Sequence, residues 1–327
     1  MKFFNIDMHI SVIEDIKHIF NELGHSVDSC NLSGHNWVFN RNPGVNEIIN
    51  VNNWRNINED VCERFYGRYK DEYSKYDGFI CAYPPAFSLL FRRFDKPIIV
   101  VAATRYDYPM VGGQKTYLDS SLVDMFKSGQ LFPVANNKYD KVYCEKNLKF
   151  NWTHIPSLCE YTKSKYNKTK AESVLFSKHV KINNDLIRHY FDLGSYSWNE
   201  LYSFKSIVHM PYNVSTMSIF EQYTANVPML FPSAGFLRQI PGYMSEISFS
   251  SPEEARAVSD DDIALSDFYD DSMMPYIIFY ESYSEILDTL NKNDTFFEDV
   301  SYSMCEFNKT RREFIITSWE NILLKIT

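Results

Sequence analysis

No stretch of this chain stays apolar for the ~18–20 residues that a membrane-spanning helix needs. The amino-terminal "MKFFNIDMHISVIEDIKHIF" is broken by Asn5, Asp7 and His9 before any cleavage-type sequence, so a secretory signal is not expected. Cys30, Cys62, Cys81, Cys144, Cys159 and Cys305 show no C-x-x-C spacing, which argues against a zinc site and a disulfide framework. They read as reduced thiols of a cytoplasmic protein. No G-x-G-x-x-G follows the first apolar segment, so a nicotinamide dinucleotide site has no support. Positive charge is in deficit: 33 Lys and Arg against 42 Asp and Glu give a formal net charge of -9. Such a surface argues against non-specific nucleic-acid binding and leaves room for one basic pocket. Internal repeats and low-complexity tracts are absent.

What is present is ordinary globular material. The 327 residues suit two domains at ~100–200 residues each. The 25 Phe and 23 Tyr supply volume for two cores, and tyrosine also suits ligand clefts.

Apolar spacing sets out the elements. "KFFNID" reads as a buried strand. "SVIEDIKHIFNELGHS" follows as a helix, with Val12, Ile13, Ile16, Ile19, Phe20 and Leu23 at helical spacing and Gly24 as its stop. "VDSCNLS" completes a βαβ unit around the loop "DMHIS". The stretch 40–73 reads as loop and helix. "YDGFICAYP" and "KPIIVVAATRYDYP" are buried strands, "AFSLLFRRF" and "SLVDMFKSGQ" helical, and "YDKVYCEK" and "THIPS" strand-like. Near Glu160 the composition shifts, and "EYTKSKYNKTKAES" reads as a linker. A second series follows. "SVLFSKHV", "SIVHMPY" and "PMLFPS" are its strands. "NNDLIRHYFDLG", "SWNELYSFK", "DDIALSDFYD", "MMPYIIFYESYSEILDTLNK" and "TRREFIITSWENILLKI" are its helices. The expected fold class is α/β, with two Rossmann-like domains and an interdomain cleft. The expected boundaries are 1–160, 161–305, and a last helix over 306–327 that carries Trp319 back to the first domain. Ligands in such sheets sit beyond the carboxyl ends of the strands. That rule selects the loops "DMHIS", "TRYDYP", "SKH", "PYNVSTMS" and "PSAGF".

The segment "HMPYNVSTMSIFEQYTANVPMLFP", from His209 to Pro232, carries the strongest signal. A polar loop feeding a helix start offers free N–H groups and the positive end of a dipole, which suits a phosphate. Ser215, Thr216 and Ser218 add hydroxyls there, and Tyr212, Asn213 and Met217 share the loop. Glu221, about one turn into the helix, would repel a phosphate but can accept two hydrogen bonds from a ribose diol. A competing reading is a capping box, since Ser218 and Glu221 spell S-x-x-E.

The same residues, "NVSTMSIFEQYTANVPMLFP", resemble the carboxyl-terminal signature of GT-B fold glycosyltransferases. That signature often has two glutamates separated by seven residues, the second opening E-A-x-A-x-G-x-P-V. Glu221 stands at the second glutamate and Pro228 at the matching proline. Asn213 replaces the first glutamate and Asn226 the usual glycine, a departure from the two-glutamate retaining site. The resemblance implies that Glu221 holds the ribose of a nucleotide-sugar donor. It also implies that Lys178 or His179, after "SVLF", faces the donor diphosphate, with His209 ending the strand before the motif.

In the first domain His9 and Asp107 are the candidate catalytic bases. Asp7, Arg105 and Tyr108 are candidate acceptor-binding residues. The run Asp260, Asp261, Asp262 follows no apolar strand and reads as a helix cap, not as a D-x-D metal site, so no metal and no cofactor are expected. The expectation is therefore a metal-independent glycosyltransferase of glycan biosynthesis. It would take a nucleotide-sugar donor and a glycan or other hydroxyl acceptor, with no nucleic-acid partner and with membrane association undecided. The alternatives are a nucleotide-sugar epimerase or hydrolase of the same shape, and a non-catalytic two-domain binding protein.

Overall fold

The computed structural model describes residues 1–178, 180–240 and 259–326. Two compact units divide the chain. The first is Met1–Ser157, joined by the carboxyl-terminal stretch from Ile315; the second is built from described residues between Leu158 and Phe314.

The first unit alternates strand and helix. Its elements are β1 (Lys2–Asp7), α1 (Ile10–Glu22), β2 (Ser26–Asn31), α2 (Glu59–Tyr73), β3 (Gly78–Cys81), α3 (Ser88–Phe91), β4 (Ile98–Ala102), α4 (Gly112–Lys127), β5 (Leu131–Ala135), α5 (Lys138–Leu148) and β6 (Thr153–His154). All six strands pair in parallel in the order β2-β1-β3-β4-β5-β6. β3 and β4 are buried along their whole length, as a parallel sheet covered on both faces requires. α1 turns Ile13, Ile16, Ile19 and Phe20 inward and stops at Gly24, which adopts φ 77°. The ring of Trp319 packs edge-on against Phe20 at 5.3 Å.

The second unit holds β7 (Ser173–Phe176), β8 (Ile187–His189), α6 (Trp198–Leu201), β9 (Ile207–His209), α7 (Met217–Thr224), β10 (Met229–Pro232), α8 (Ala234–Leu237), α9 (Asp260–Ala264), β11 (Ile278–Tyr280) and α10 (Tyr283–Leu290). α11 (Asp294–Leu324) is one 31-residue helix, so the terminal helix begins well before residue 306. The strand order is β11-β10-β9-β7-β8, again all parallel. Both sheets therefore reverse direction once, at β1/β3 in the first unit and at β7/β9 in the second. Such a switch point opens the crevice where ligands bind in doubly wound sheets.

Four elements differ from the sequence reading. "YDKVYCEK" is the helix α5, not a strand: Asn137 caps it by accepting from Asp140 N at 2.7 Å, and Tyr139 and Tyr143 are buried four residues apart. "LFPVA", to which the sequence reading gives no element, is the interior strand β5. "NNDLIRHYFDLG" and the front of "MMPYIIFYESYSEILDTLNK" hold the short edge strands β8 and β11, where pairing with a formed sheet outweighs local helix propensity. The stretch after Glu160 contains one 3-10 turn, Glu160–Thr162, and is not a slack linker. It is fastened along the second unit by Tyr166 N to Ala225 O (2.8 Å), Asn167 N to Tyr202 O (3.1 Å) and Thr169 N to Ser203 O (2.9 Å). All six cysteines are free thiols. No described helix is long and apolar enough to cross a membrane.

Candidate functional site

In the second unit β9 ends at His209, and a loop leads into α7. Thr216 is the N-cap, and its side chain makes no capping hydrogen bond. Its hydroxyl pairs instead with that of Ser218 at 3.0 Å, while Asn213 Oδ1 accepts from Val214 N at 2.8 Å. The S-x-x-E capping box is thus not formed. α7 closes with a Schellman stop: Asn226 N bonds to Tyr223 O (2.9 Å) and Val227 N to Gln222 O (3.1 Å). Asn226 sits at φ 63°, in the left-handed region that glycine and asparagine tolerate. Pro228 follows, where the helix cannot continue.

Glu221 is held elsewhere. Its Oε1 accepts from the hydroxyl of Tyr161, and its Oε2 accepts from the indole Nε1–H of Trp198 at 3.2 Å. The two donor rings meet edge to face at 5.9 Å. Burial pushes the Glu221 carboxyl above its ordinary value, and the two hydrogen bonds pull it partway back. Its charge acts on the phenols of Tyr196 and Tyr202, both raised chiefly by burial. The hydroxyl of Tyr202 is buried without a partner among the described residues. Each carboxylate oxygen has two lone pairs, so one on each stays uncommitted. The residue as a whole is partly buried.

The switch point β7/β9 brings two more named residues together. Lys178 Nζ stands 3.5 Å from the centre of the Tyr212 ring, a cation–π contact between the loops after β7 and β9. Ser215 is half-buried in the same loop, and Met217 is buried in the first turn of α7. His179 lies outside the described residues. His209 is a core histidine. It is 4% exposed, bonds through Nε2 to Gln222 Oε1 at 2.6 Å, and stacks on Phe231 at 4.5 Å. Burial lowers its pKa to about 4, so it is neutral near pH 7.

In the first unit Asp7 ends β1 at the other switch point. It is fully buried and accepts from the backbone N–H groups of His9 (2.7 Å), Ala82 (3.1 Å) and Tyr83 (3.0 Å). It ties β1 to the turn after β3, and burial raises its carboxyl to about 7. His9 precedes α1, with its ring 5.8 Å from Tyr83 and its Nδ1 buried without a partner among the described residues. Burial lowers it to about 4, which keeps the imidazole neutral and able to accept a proton. Tyr108 is half-buried, 6.0 Å from Tyr83 and 6.3 Å from Trp54. Arg105 and Asp107 are buried structural groups. Arg105 pairs with Asp140 at 2.9 Å and lies over Tyr139, and Asp107 accepts from the hydroxyl of Tyr143 at 2.8 Å. Asp262 serves a capping box with Ser259 at the start of α9.

Sequence reasoning passed over Tyr161, Trp198 and Tyr202, the aromatic surroundings of Glu221. Tyr161 lay in the presumed linker. Trp198 had one local signal, Ser197, which caps α6.

No protein-family model matches the chain, and no curated protein matches it in sequence. Solved structures do align with it over almost their whole length. CalG4, the calicheamicin glycosyltransferase, shares 12% identity over 98% of each chain, with a TM-score of 0.40. MurG of Acinetobacter baumannii shares 9% over 96% of this chain and 99% of its own, with a TM-score of 0.47. SnogD, a glycosyltransferase from Streptomyces nogalater, shares 10% over 97% and 99%, with a TM-score of 0.44. Likeness at this level transfers neither a site nor a substrate.

Proposed function

We propose that the protein is a glycosyltransferase that moves a sugar from a nucleotide-sugar donor to a hydroxyl acceptor. The observation that carries this reading is the state of Glu221. It is a buried-side carboxylate beside a β-strand switch point, oriented by two aromatic donors, released from capping duty and left with one lone pair on each oxygen. A vicinal diol such as that of a ribose supplies two donors in that spacing. The uncapped start of α7 offers N–H groups and a helix dipole to a phosphate, and Lys178 stands at the same switch point. The donor would be held by the second unit and the acceptor by the first, where neutral His9 would take the acceptor proton. Fixed N–H groups and the lysine charge would stabilise the departing diphosphate.

The test is a thermal-shift panel of nucleoside diphosphate sugars with the full chain, followed by product analysis with a labelled donor. Stabilisation by one donor, lost in Glu221→Ala, supports the reading. Transfer to an added sugar separates a transferase from an epimerase or hydrolase, which would return only isomerised or hydrolysed donor. Failure of every donor to shift the melt at millimolar concentration would sink it.

A further inference from the structure

A polar pocket of the first unit lies beside β2. It occupies about 490 Å³ against the outer edge of β2, lined in part by Lys17, Ser29, Asn31, Asn36, Arg41 and Gly44. β2 is an edge strand, so its free side is available for a wall, and the stretch before Gly44 supplies one. Gly44 N donates to Asn31 O at 2.6 Å. A Cβ at position 44 would come within 2.8 Å of Cys30 Sγ and 3.1 Å of the Asn31 backbone, so only glycine lets the segment lie this close.

The charges here run against the rest of the molecule. Arg41 binds Glu14 through both ends of its fork, at 2.5 and 3.1 Å, and Lys17 reaches the same carboxylate at 3.1 Å. Asp28 also lines the pocket and has its own cation, Lys2, at 2.8 Å, with a further bond from the Tyr76 hydroxyl at 2.8 Å. The lining itself therefore carries two cations, Lys17 and Arg41, and one carboxylate, Asp28, in a protein of formal net charge -9. The second observation is Asn31. Its side chain is 6% exposed, its Oδ1 accepts from Ser33 N at 2.9 Å, and its Nδ2 has no partner among the described residues. A buried amide donor without an acceptor costs free energy unless a ligand supplies one.

We propose that this pocket binds the oxyanion, phosphate or carboxylate, of a small polar ligand. Asn31 Nδ2 would donate to the anion, and the spare N–H groups of Lys17 and Arg41 would neutralise it. The site is independent of the role assigned to Glu221. Isothermal titration calorimetry of the full chain with inorganic phosphate, glucose 6-phosphate, glucuronate and glucose tests it. At least one anionic probe should bind, neutral glucose should not, and raising salt from about 20 to about 500 mM should weaken binding. Binding of the phosphates alone would name a phosphate ligand, and binding of glucuronate alone a carboxylate ligand. Arg41→Gln, at an exposed position, and Asn31→Asp, which keeps the Ser33 bond, should each weaken it about tenfold or more. Glu221→Gln should leave the isotherm unchanged. The proposal is overturned if no anion binds, if glucose binds equally well, if Arg41→Gln binds like wild type, or if Glu221→Gln abolishes binding.

Discussion

Replacing Glu221 by glutamine keeps the shape of the side chain and removes its charge. Both neighbours can still be satisfied. The amide oxygen takes the Trp198 N–H, and the amide NH₂ donates to Tyr161, whose hydroxyl accepts as readily as it donates. The loss is charge assistance, about 1 kcal/mol per bond and about 2 kcal/mol for the pair. Opposing it is relief from burying a charge. The carboxyl is raised above its ordinary value despite both donors, so burial outweighs the two bonds. An acid raised in the folded state contributes stability below its unfolded pKa and loses it as pH rises through the folded value. Glu221→Gln should therefore gain on wild type in urea unfolding as pH rises above the ordinary glutamate range. Its affinity for the nucleotide-sugar donor should fall by roughly 10- to 100-fold, because two diol bonds lose their charged acceptor. A stability gap that does not vary with pH, together with unchanged donor affinity, would refute the reasoning. Glu221 would then serve only to hold Tyr161 and Trp198.

Three further outcomes follow from the packing. Asn226→Gly should leave the α7 stop intact, whereas Asn226→Val should cost about 1–2 kcal/mol in chemical denaturation, since a β-branched residue resists φ 63°. Arg105→Met strands the Asp140 carboxylate in the core of the first unit and should lower stability by about 3–5 kcal/mol, with partial recovery when Asp140→Asn is added. His209 is neutral when folded and titrates near 6.5 when unfolded, so its stabilising contribution is lost as pH falls from 6.5 toward about 4. His209→Phe should flatten the fall of the urea midpoint across that window.

The parts of the fold legible from sequence were those written in local periodicity. α1 shows its buried face and its glycine stop, and the apolar runs of β3 and β4 could be little else. α5 was misread because "YDKVYCEK" holds two tyrosines and a valine, types that favour strands. Its helical spacing emerges only once Asn137 is recognised as a cap. β8 and β11 carry three residues each and exist because a neighbour offers a register. The site divided the same way. Glu221 stood out by its place between an uncapped loop and a proline. Tyr161 lies 60 residues from it and Trp198 23 residues from it, so no local pattern links them. Arg105 and Asp107 had the residue types of a site, but burial assigned them to packing.

The fastening of residues 161–169 changes where this protein can be cut. A cut that treated the whole polar strip as dispensable would fall near Ser173, just before β7. A truncation there would delete Tyr161 and leave one oxygen of Glu221 without its donor, along with the backbone acceptors at Ala225, Tyr202 and Ser203. Insertions between Tyr161 and Tyr166 would be equally disruptive, because the segment is anchored at both ends to the second unit. Natural variation in length should therefore be rare across this strip and concentrate in exposed turns such as that before β8. Limited proteolysis should likewise spare it, although its lysines make it the most obvious tryptic target in the chain.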